Sequence, residues 1–180
     1  KEVITDKAKT DKGLFKVHKV DGKYFYEIPD SLFNREMLVV TRYAKTPTID
    51  GTYGGEELNE QIWKWQRREK QVLIRVPSYR NIADKKTEMF EAVKNSNLDA
   101  VLSSFEIKAI NKDSSSVVVD VTDLYALDVQ SLGLPQSVRT QYKITALAEN
   151  RSFIDTIKSF PTNIEVRSLK TYRATDPPGD

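Results

Sequence analysis

The stretch AVLSSFEIKAINKDSSSVVVDVTDL, residues 100–124, decides the fold class. Phe105, Ile107 and Ala109 alternate with Glu106 and Lys108. After the polar run Asn111 to Ser116, Val117, Val119 and Val121 alternate with Val118, Asp120 and Thr122. Successive side chains of a strand point to opposite faces, so this period-two pattern on both sides of a cluster of turn formers predicts an antiparallel hairpin. It specifies fold and is silent on chemistry.

Upstream, residues 14–28 repeat the pattern around Asp21-Gly22, a pair that supplies the positive φ values of a tight type I′ turn and predicts a second hairpin. Residues 1–12 are polar and read as a flexible lead-in. Pro29 closes the strand, and Asp30-Ser31 opens a single helical turn. Glu36 to Ala44, EMLVVTRYA, reads as a buried strand, and Thr46 to Gly55, with three glycines, as a loop. Asn59 to Gln66 and Gln71 to Val76 flank the turn RREK and predict a third hairpin, ended by Pro77. Lys85 to Asn97 is the one longer helix expected, capped by Thr87, with Met89, Phe90 and Val93 on the stripe that covers a sheet face. Downstream, Asp123 to Leu134 reads as an irregular or partly helical crossover. Gln141 to Leu147 reads as a strand, Arg151 to Phe160 as a helix or a twisted strand, and Ile164 to Tyr172 as the last strand. Successive hairpins with one helix exclude a βαβ parallel sheet. The expectation is a mainly β chain of eight or nine strands, a sandwich or twisted sheet with one covering helix; α+β is the near alternative.

At 180 residues, with 39% hydrophobic and 30% charged side chains, the chain is long enough to bury one core. Its 28 basic and 26 acidic residues leave a formal charge of +2, too little to neutralise a nucleic-acid backbone unless the charges segregate. The basic cluster Lys64 to Lys70, KWQRREK, is the one place they gather, and solvated strand ends around a turn account for it. The absence of cysteine excludes disulfides, thiolate metal sites and a cysteine nucleophile. No apolar run reaches the roughly 18 residues of a membrane-spanning helix, and the first residues lack the apolar segment of a signal peptide. Lys1 and the ending DPPGD read as the limits of a piece excised from a longer chain, residues 174–180 beginning a linker.

Candidate chemistry is sparse. His18 is the only histidine, so a multi-histidine site is out of reach, and its plain reading is a strand residue at the surface or sheet edge. Glu56, Glu57, Asp113, Asp120, Asp123, Asp128 and Asp155 supply carboxylates. Asp120 and Asp123 stand at a strand end, where a metal or catalytic acid can sit and where turn hydrogen bonds are the cheaper explanation. Gly54-Gly55 is not followed by the Lys-Ser or Lys-Thr of a phosphate loop. Ser114 to Ser116 have no histidine partner, and neither an EF-hand loop nor a G-x-S-x-G elbow occurs. Trp63 and Trp65, two apart on a strand, share a face: such a pair stacks on a sugar or base, or, more commonly, is buried in a core or against another domain.

The segments GLFKVHKVDGKYFYEIPDSLFNREMLVVTR (13–42), YGGEELN (53–59), IWKWQ (62–66), AVKNSN (92–97), VDVTDLY (119–125) and SFIDTIKSFPTNIEVR (152–167) together resemble one family. It is the domain of unknown function that precedes the catalytic domain in large bacterial zinc-dependent metalloproteinases of the HExxH, gluzincin-like kind. The resemblance implies that residues 13–173 form a single β-rich accessory domain, and that the zinc belongs to the following catalytic domain, with no cofactor and no catalytic or metal-ligating residue in this chain. It implies further that the protein is exported to the cell envelope or secreted. The partner implied is the C-terminal protease domain of the same chain and, at a shared cleft, peptide or protein substrate, with neither nucleic acid nor a membrane span. Tyr53, Gly54, Gly55, Glu56, Trp63 and Trp65 are the candidate interdomain or substrate contacts; Asp120 and Asp123 are strand-end acids to inspect. A carbohydrate- or peptide-binding module is the alternative reading, and an enzyme with an unfamiliar carboxylate site the third.

Overall fold

A computed structural model describes residues 3–47, 53–79 and 83–175. The elements, in chain order, are β1 (Lys9–Lys12), β2 (Lys16–Val20), β3 (Lys23–Pro29), β4 (Glu36–Arg42), β5 (Glu57–Arg67), β6 (Gln71–Val76), α1 (Met89–Ser96), β7 (Ala100–Ile110), β8 (Ser116–Asp120), α2 (Thr122–Ala126), α3 (Gln136–Gln141), β9 (Ile144–Leu147), β10 (Phe153–Ser159), β11 (Ile164–Leu169) and β12 (Tyr172–Ala174). Eight of the strands form one antiparallel sheet in the order β1-β2-β3-β8-β7-β6-β5-β4. Two ribbons, β10-β11 and β12-β9, complete the mainly β architecture.

All three predicted hairpins are present. Asp21 (φ 48°) and Gly22 (φ 82°) make the turn between β2 and β3, and Val17 faces Tyr26 across that pair. Between β7 and β8 the turn is held by Asn111, whose carboxamide oxygen accepts the Ser116 amide, and by Asp113, which accepts the Ser115 amide. β7 curls the sheet: its first half pairs with β6 and its second half with β8, with a register shift in each ladder.

The inner face carries the core. Phe15, Val17, Tyr26, Ile28, Trp65, Val72, Ile74, Phe105, Val117 and Val119 join one buried cluster, with Leu124 of α2 and Ile157 of β10 closing it. Phe15 meets Tyr26 and Trp65 edge to face, at 5.5 and 5.8 Å, and Phe105 lies against Trp65 at 5.6 Å with its ring tilted 30°. A smaller cluster on the outer face, Val20, Phe25 and Val118, is covered by Val3, Ile4 and Ala8. The β10-β11 ribbon is fastened to the start of β2. The Ser159 hydroxyl donates to the Phe15 carbonyl at 2.7 Å, and Leu14 donates to the Phe160 carbonyl at 2.7 Å. Gly13 permits this approach, because a Cβ there would stand 2.5 Å from the Phe160 oxygen.

Several expectations are corrected. Lys9–Lys12, expected within a flexible lead-in, is an edge strand paired to β2. β4, expected as a buried strand, lies at the opposite edge, with Leu38 64% exposed. The helix is shorter than expected and none of its residues is buried, so its Met89, Phe90 and Val93 stripe does not cover the sheet. Thr87 does not cap it, since that hydroxyl donates to the Asp84 carbonyl. Helix α3 takes the start of the expected 141–147 strand, and Arg151 to Phe160 resolves to β10. The described residues hold twelve strands and three α-helices. Ala174, expected to begin the linker, is instead the last residue of β12. Thr48 to Thr52 of the glycine-rich loop, part of the turn after Pro77, and the expected linker from Asp176 onward lie outside the described residues.

Candidate functional site

A cleft of about 1360 Å³ opens between β4 and the two ribbons. Every residue of β4 lines it, as do Ile164 and Val166 to Leu169 of β11. Alternate side chains of a strand point to opposite faces, so a strand that lines a cleft with consecutive residues presents its edge to it. β4 has no strand on its outer edge among the described residues. The sheet's other edge, β1, is a short strand of sequence KTDK guarded by two lysines, the usual way of blunting an edge. β4 is longer, apolar at Met37, Leu38, Val39 and Val40, and carries neither lysine nor proline.

The rim is apolar and basic. Leu38, Val40, Phe153 and Leu169 are large exposed hydrophobics that all border the cleft. Five cations (Arg35, Arg42, Lys45, Arg167 and Lys170) line it against two carboxylates, Glu36 and Asp155. Arg42 is held by Glu57 at 3.1 Å, and Lys170 donates to the Leu127 carbonyl at 2.8 Å. Burial lowers the Lys170 ammonium from its ordinary value. On the floor the Tyr26 hydroxyl donates to that of Tyr125 at 3.1 Å. Burial raises both phenols, Tyr125 to about 12, so they stay protonated donors throughout the physiological range.

At the ribbon end a polar clasp fixes β12. Arg139 donates two 2.7 Å hydrogen bonds to Asp128, which also accepts from the Tyr172 hydroxyl at 3.0 Å. The Arg139 contact holds the Asp128 carboxyl below the usual range, while burial and then Asp128 push Tyr172 to about 12.

The residues singled out in the sequence are dispersed. Tyr53, Gly54, Gly55 and Glu56 are exposed at the end of β4, where the Gly55 amide (φ 95°) donates to the Tyr43 carbonyl at 2.6 Å. Trp63 and Trp65 are 2% and 3% exposed, so their rings belong to the core, and what little of them is accessible lies at the floor of the cleft. Asp120 accepts from the Thr122 amide and from Lys23. Burial would raise it, yet the Thr122 and Lys23 bonds prevail and hold it low. Asp123 stands exposed in the first turn of α2 without joining it in any ligand set. Among the described residues no three His, Asp or Glu side chains gather as a metal site. Nor is any described helix long and apolar enough to cross a membrane. In the basic cluster, Arg67 pairs with Asp30 and Lys64 with Glu36.

His18 is corrected from a surface or edge residue to a buried one, 5% exposed: β1 pairs with β2 and takes the sheet edge, and Thr10 and Glu27 of the two flanking strands stand beside the ring. Thr10 bonds its Nδ1 at 2.7 Å and Glu27 its Nε2 at 3.1 Å. Glu27 also accepts from Lys16 and from Ser116, each at 2.7 Å. Burial would raise the Glu27 carboxyl, but the bonds from Lys16, Ser116 and His18 outweigh it and hold it below its ordinary value. A depressed carboxylate stabilises the fold above its unfolded pKa, and that contribution fades as pH falls through the folded value. Glu27→Gln is therefore expected to lose about 1–3 kcal/mol at pH 7, with the gap to the parent chain closing below about pH 4. Urea unfolding at pH 7 and pH 3 checks this; an equal gap at both would refute it.

Neither a curated protein nor a solved structure matches this chain. Two family models do: Domain of unknown function (DUF5118) over residues 1–46 and Domain of unknown function (DUF5117) over residues 55–180. Strands from the two matches interleave, with β1 to β3 at one end of the large sheet, β4 at the other and β5 to β8 between them. The second match takes in more than two thirds of the sequence, and the chain belongs to the DUF5117 family of domains of unknown function.

Proposed function

We propose that this chain is a non-catalytic accessory domain of a zinc-dependent metallopeptidase, packing on the catalytic domain of the same longer polypeptide and forming part of its substrate path. The observation that carries the reading is the open apolar edge of β4 beside a large cleft, bordered by exposed Leu38, Phe153 and Leu169. Exposed apolar patches of this kind mark interaction surfaces. The remaining support is the resemblance of the segments between residues 13 and 167 to domains that precede such catalytic domains. On this reading zinc is held in the catalytic domain. The residues here do not fit it: both ring nitrogens of His18 are engaged by Thr10 and Glu27. Export to the cell envelope belongs to the same proposal.

A peptide-binding module acting alone is the second reading, favoured by the same edge. A carbohydrate site is less well supported, because the tryptophans that would form its platform are buried. The deciding experiment compares the longer protein with a form lacking residues 1–180, measuring bound zinc and peptidase activity on a protein substrate. The expected outcome is retained zinc with activity lowered by about tenfold or more, the scale on which substrate positioning acts. Unchanged activity would overturn the proposal.

A further inference from the structure

We infer that the cleft binds an extended polypeptide segment by strand addition to the outer edge of β4, and that the segment has an apolar, β-branched centre flanked by acidic residues. The inference rests on the cleft being a substrate path, whose occupant it names, but it stands on the geometry of this chain.

Three observations lead to it. An unpaired strand edge exposes a row of amide and carbonyl groups that a second extended chain satisfies, which is how many domains take peptides. Of the two edges of the large sheet, β1 is guarded by Lys9 and Lys12, while β4 carries its charges, Glu36 and Arg42, only at its two ends and leaves Met37 to Thr41 without one. The register shift in the β4-β5 ladder falls only at its last pair, Thr41/Arg42, so the ladder from Glu36 to Thr41 is regular. At about 3.4 Å per residue, the seven residues of β4 match a bound segment of about seven residues. A volume of about 1360 Å³ also exceeds the roughly 300–1,000 Å³ of small-molecule pockets.

The chemistry of the walls selects the segment. Added to β4, it would have Met37 and Val39 as cross-strand neighbours on the inner face and Leu38 and Val40 on the outer, so apolar and β-branched side chains suit its centre on both faces. The flanks meet positive charge. Arg35 precedes β4, Lys45 follows it and Arg167 stands on the facing β11; among the described residues none of the three has an ion-pair partner. Glu36 and Arg42 are already committed to Lys64 and Glu57. Among the described residues Asp155 of β10 is the one lining carboxylate outside an ion pair, so the charge that remains is positive on balance, and acidic flanks complement it.

The test uses this chain alone, so its outcome is separable from that of deleting residues 1–180 from a longer protein. The probe is the peptide Asp-Glu-Val-Thr-Val-Thr-Val-Glu-Asp, capped at its N-terminus by fluorescein and amidated at its C-terminus. Controls are a form with lysine in place of each acid and two forms N-methylated at either the three valines or the two threonines. Strand addition uses the amides of one alternation only. One N-methylated form is therefore expected to bind about a hundredfold more weakly and the other to bind within about threefold of the parent peptide. The lysine form is expected to lose about tenfold at low salt. Hydrogen exchange of the complex is expected to show new protection within Met37 to Thr41. The inference is overturned by absence of binding at millimolar peptide, by equal binding of both N-methylated forms, or by protection of β4 without peptide that rises with protein concentration, which would make the edge a contact between two copies of this chain.

Discussion

A chain beginning at residue 55 is expected to be unfolded, although it contains the whole of the DUF5117 match. Residues 1–46 are part of the same sheet. They supply β3, the partner of β8 through Phe25 to Pro29, and β4, the partner of β5 through seven register positions. They also place Phe15, Val17, Tyr24, Tyr26 and Ile28 in the main core cluster, all buried. Each such side chain contributes about 1.5–3 kcal/mol on burial, so the five together are worth about 10 kcal/mol. That is comparable to the whole stability of an ordinary domain, about 5–15 kcal/mol. The deletion also uncovers Val117, Val119, Trp63 and Trp65, which line the same core. Circular dichroism and the spread of amide proton shifts in residues 55–180 alone decide the matter, and adding residues 1–46 as a separate peptide is expected to restore structure. A cooperative thermal transition in the shorter chain by itself would show that the two matched segments are separate folding units.

Trp65→Ala is expected to be the most damaging single substitution in the core, at about 3–5 kcal/mol. Trp65 is 3% exposed and its ring lies within 6.0 Å of Phe15, Tyr26 and Phe105. Truncation leaves a cavity among three rings that cannot close around it without moving strands. For a chain of this length the loss corresponds to a fall of about 10–15 °C in Tm. Leu38→Ala, at an exposed edge position, is expected to stay within about 0.5 kcal/mol. Thermal unfolding of the two variants beside the parent chain gives the comparison. A Trp65→Ala chain as stable as the parent would mean that the ring is a surface group after all.

The contrast between Trp65 and Leu38 shows what was legible in the sequence. The alternation of β5 put Trp63 and Trp65 on one face, and the structure keeps them there. Whether that face was core or interface depended on Phe15, Tyr26 and Phe105 arriving from other strands. The apolar run Met37 to Val40 reads like a buried strand because composition records a residue's preference and not its place in the strand order. β4 is at the edge because the partner that would flank it on the other side is absent among the described residues, and no local pattern encodes that. The polar segment Lys9 to Lys12 reads as a lead-in for the complementary reason. A guarded edge strand is polar by necessity, and four exposed polar residues look the same as a lead-in. The helical stripe of Met89, Phe90 and Val93 set helical periodicity correctly for residues 89–96, but periodicity does not say whether anything packs against it.

The candidate site was less legible still. The glycine-rich loop ends in Tyr53 to Glu56, which are exposed beside the end of β4, a position that no local pattern states. The cleft itself is made of strand edges, and an edge is defined by the hydrogen bonds a strand lacks. His18 likewise gained its environment from Thr10, Glu27 and Ser116, residues up to 98 positions away in sequence, brought together by pairing register. What the sequence alone determined was the set of hairpins, through side-chain alternation and turn chemistry that act over a few residues. What only the tertiary structure decided was which strands became edges, which aromatic face became core and where the cleft opened, because each of these depends on long-range pairing in which a strand's neighbours are chosen by the rest of the chain.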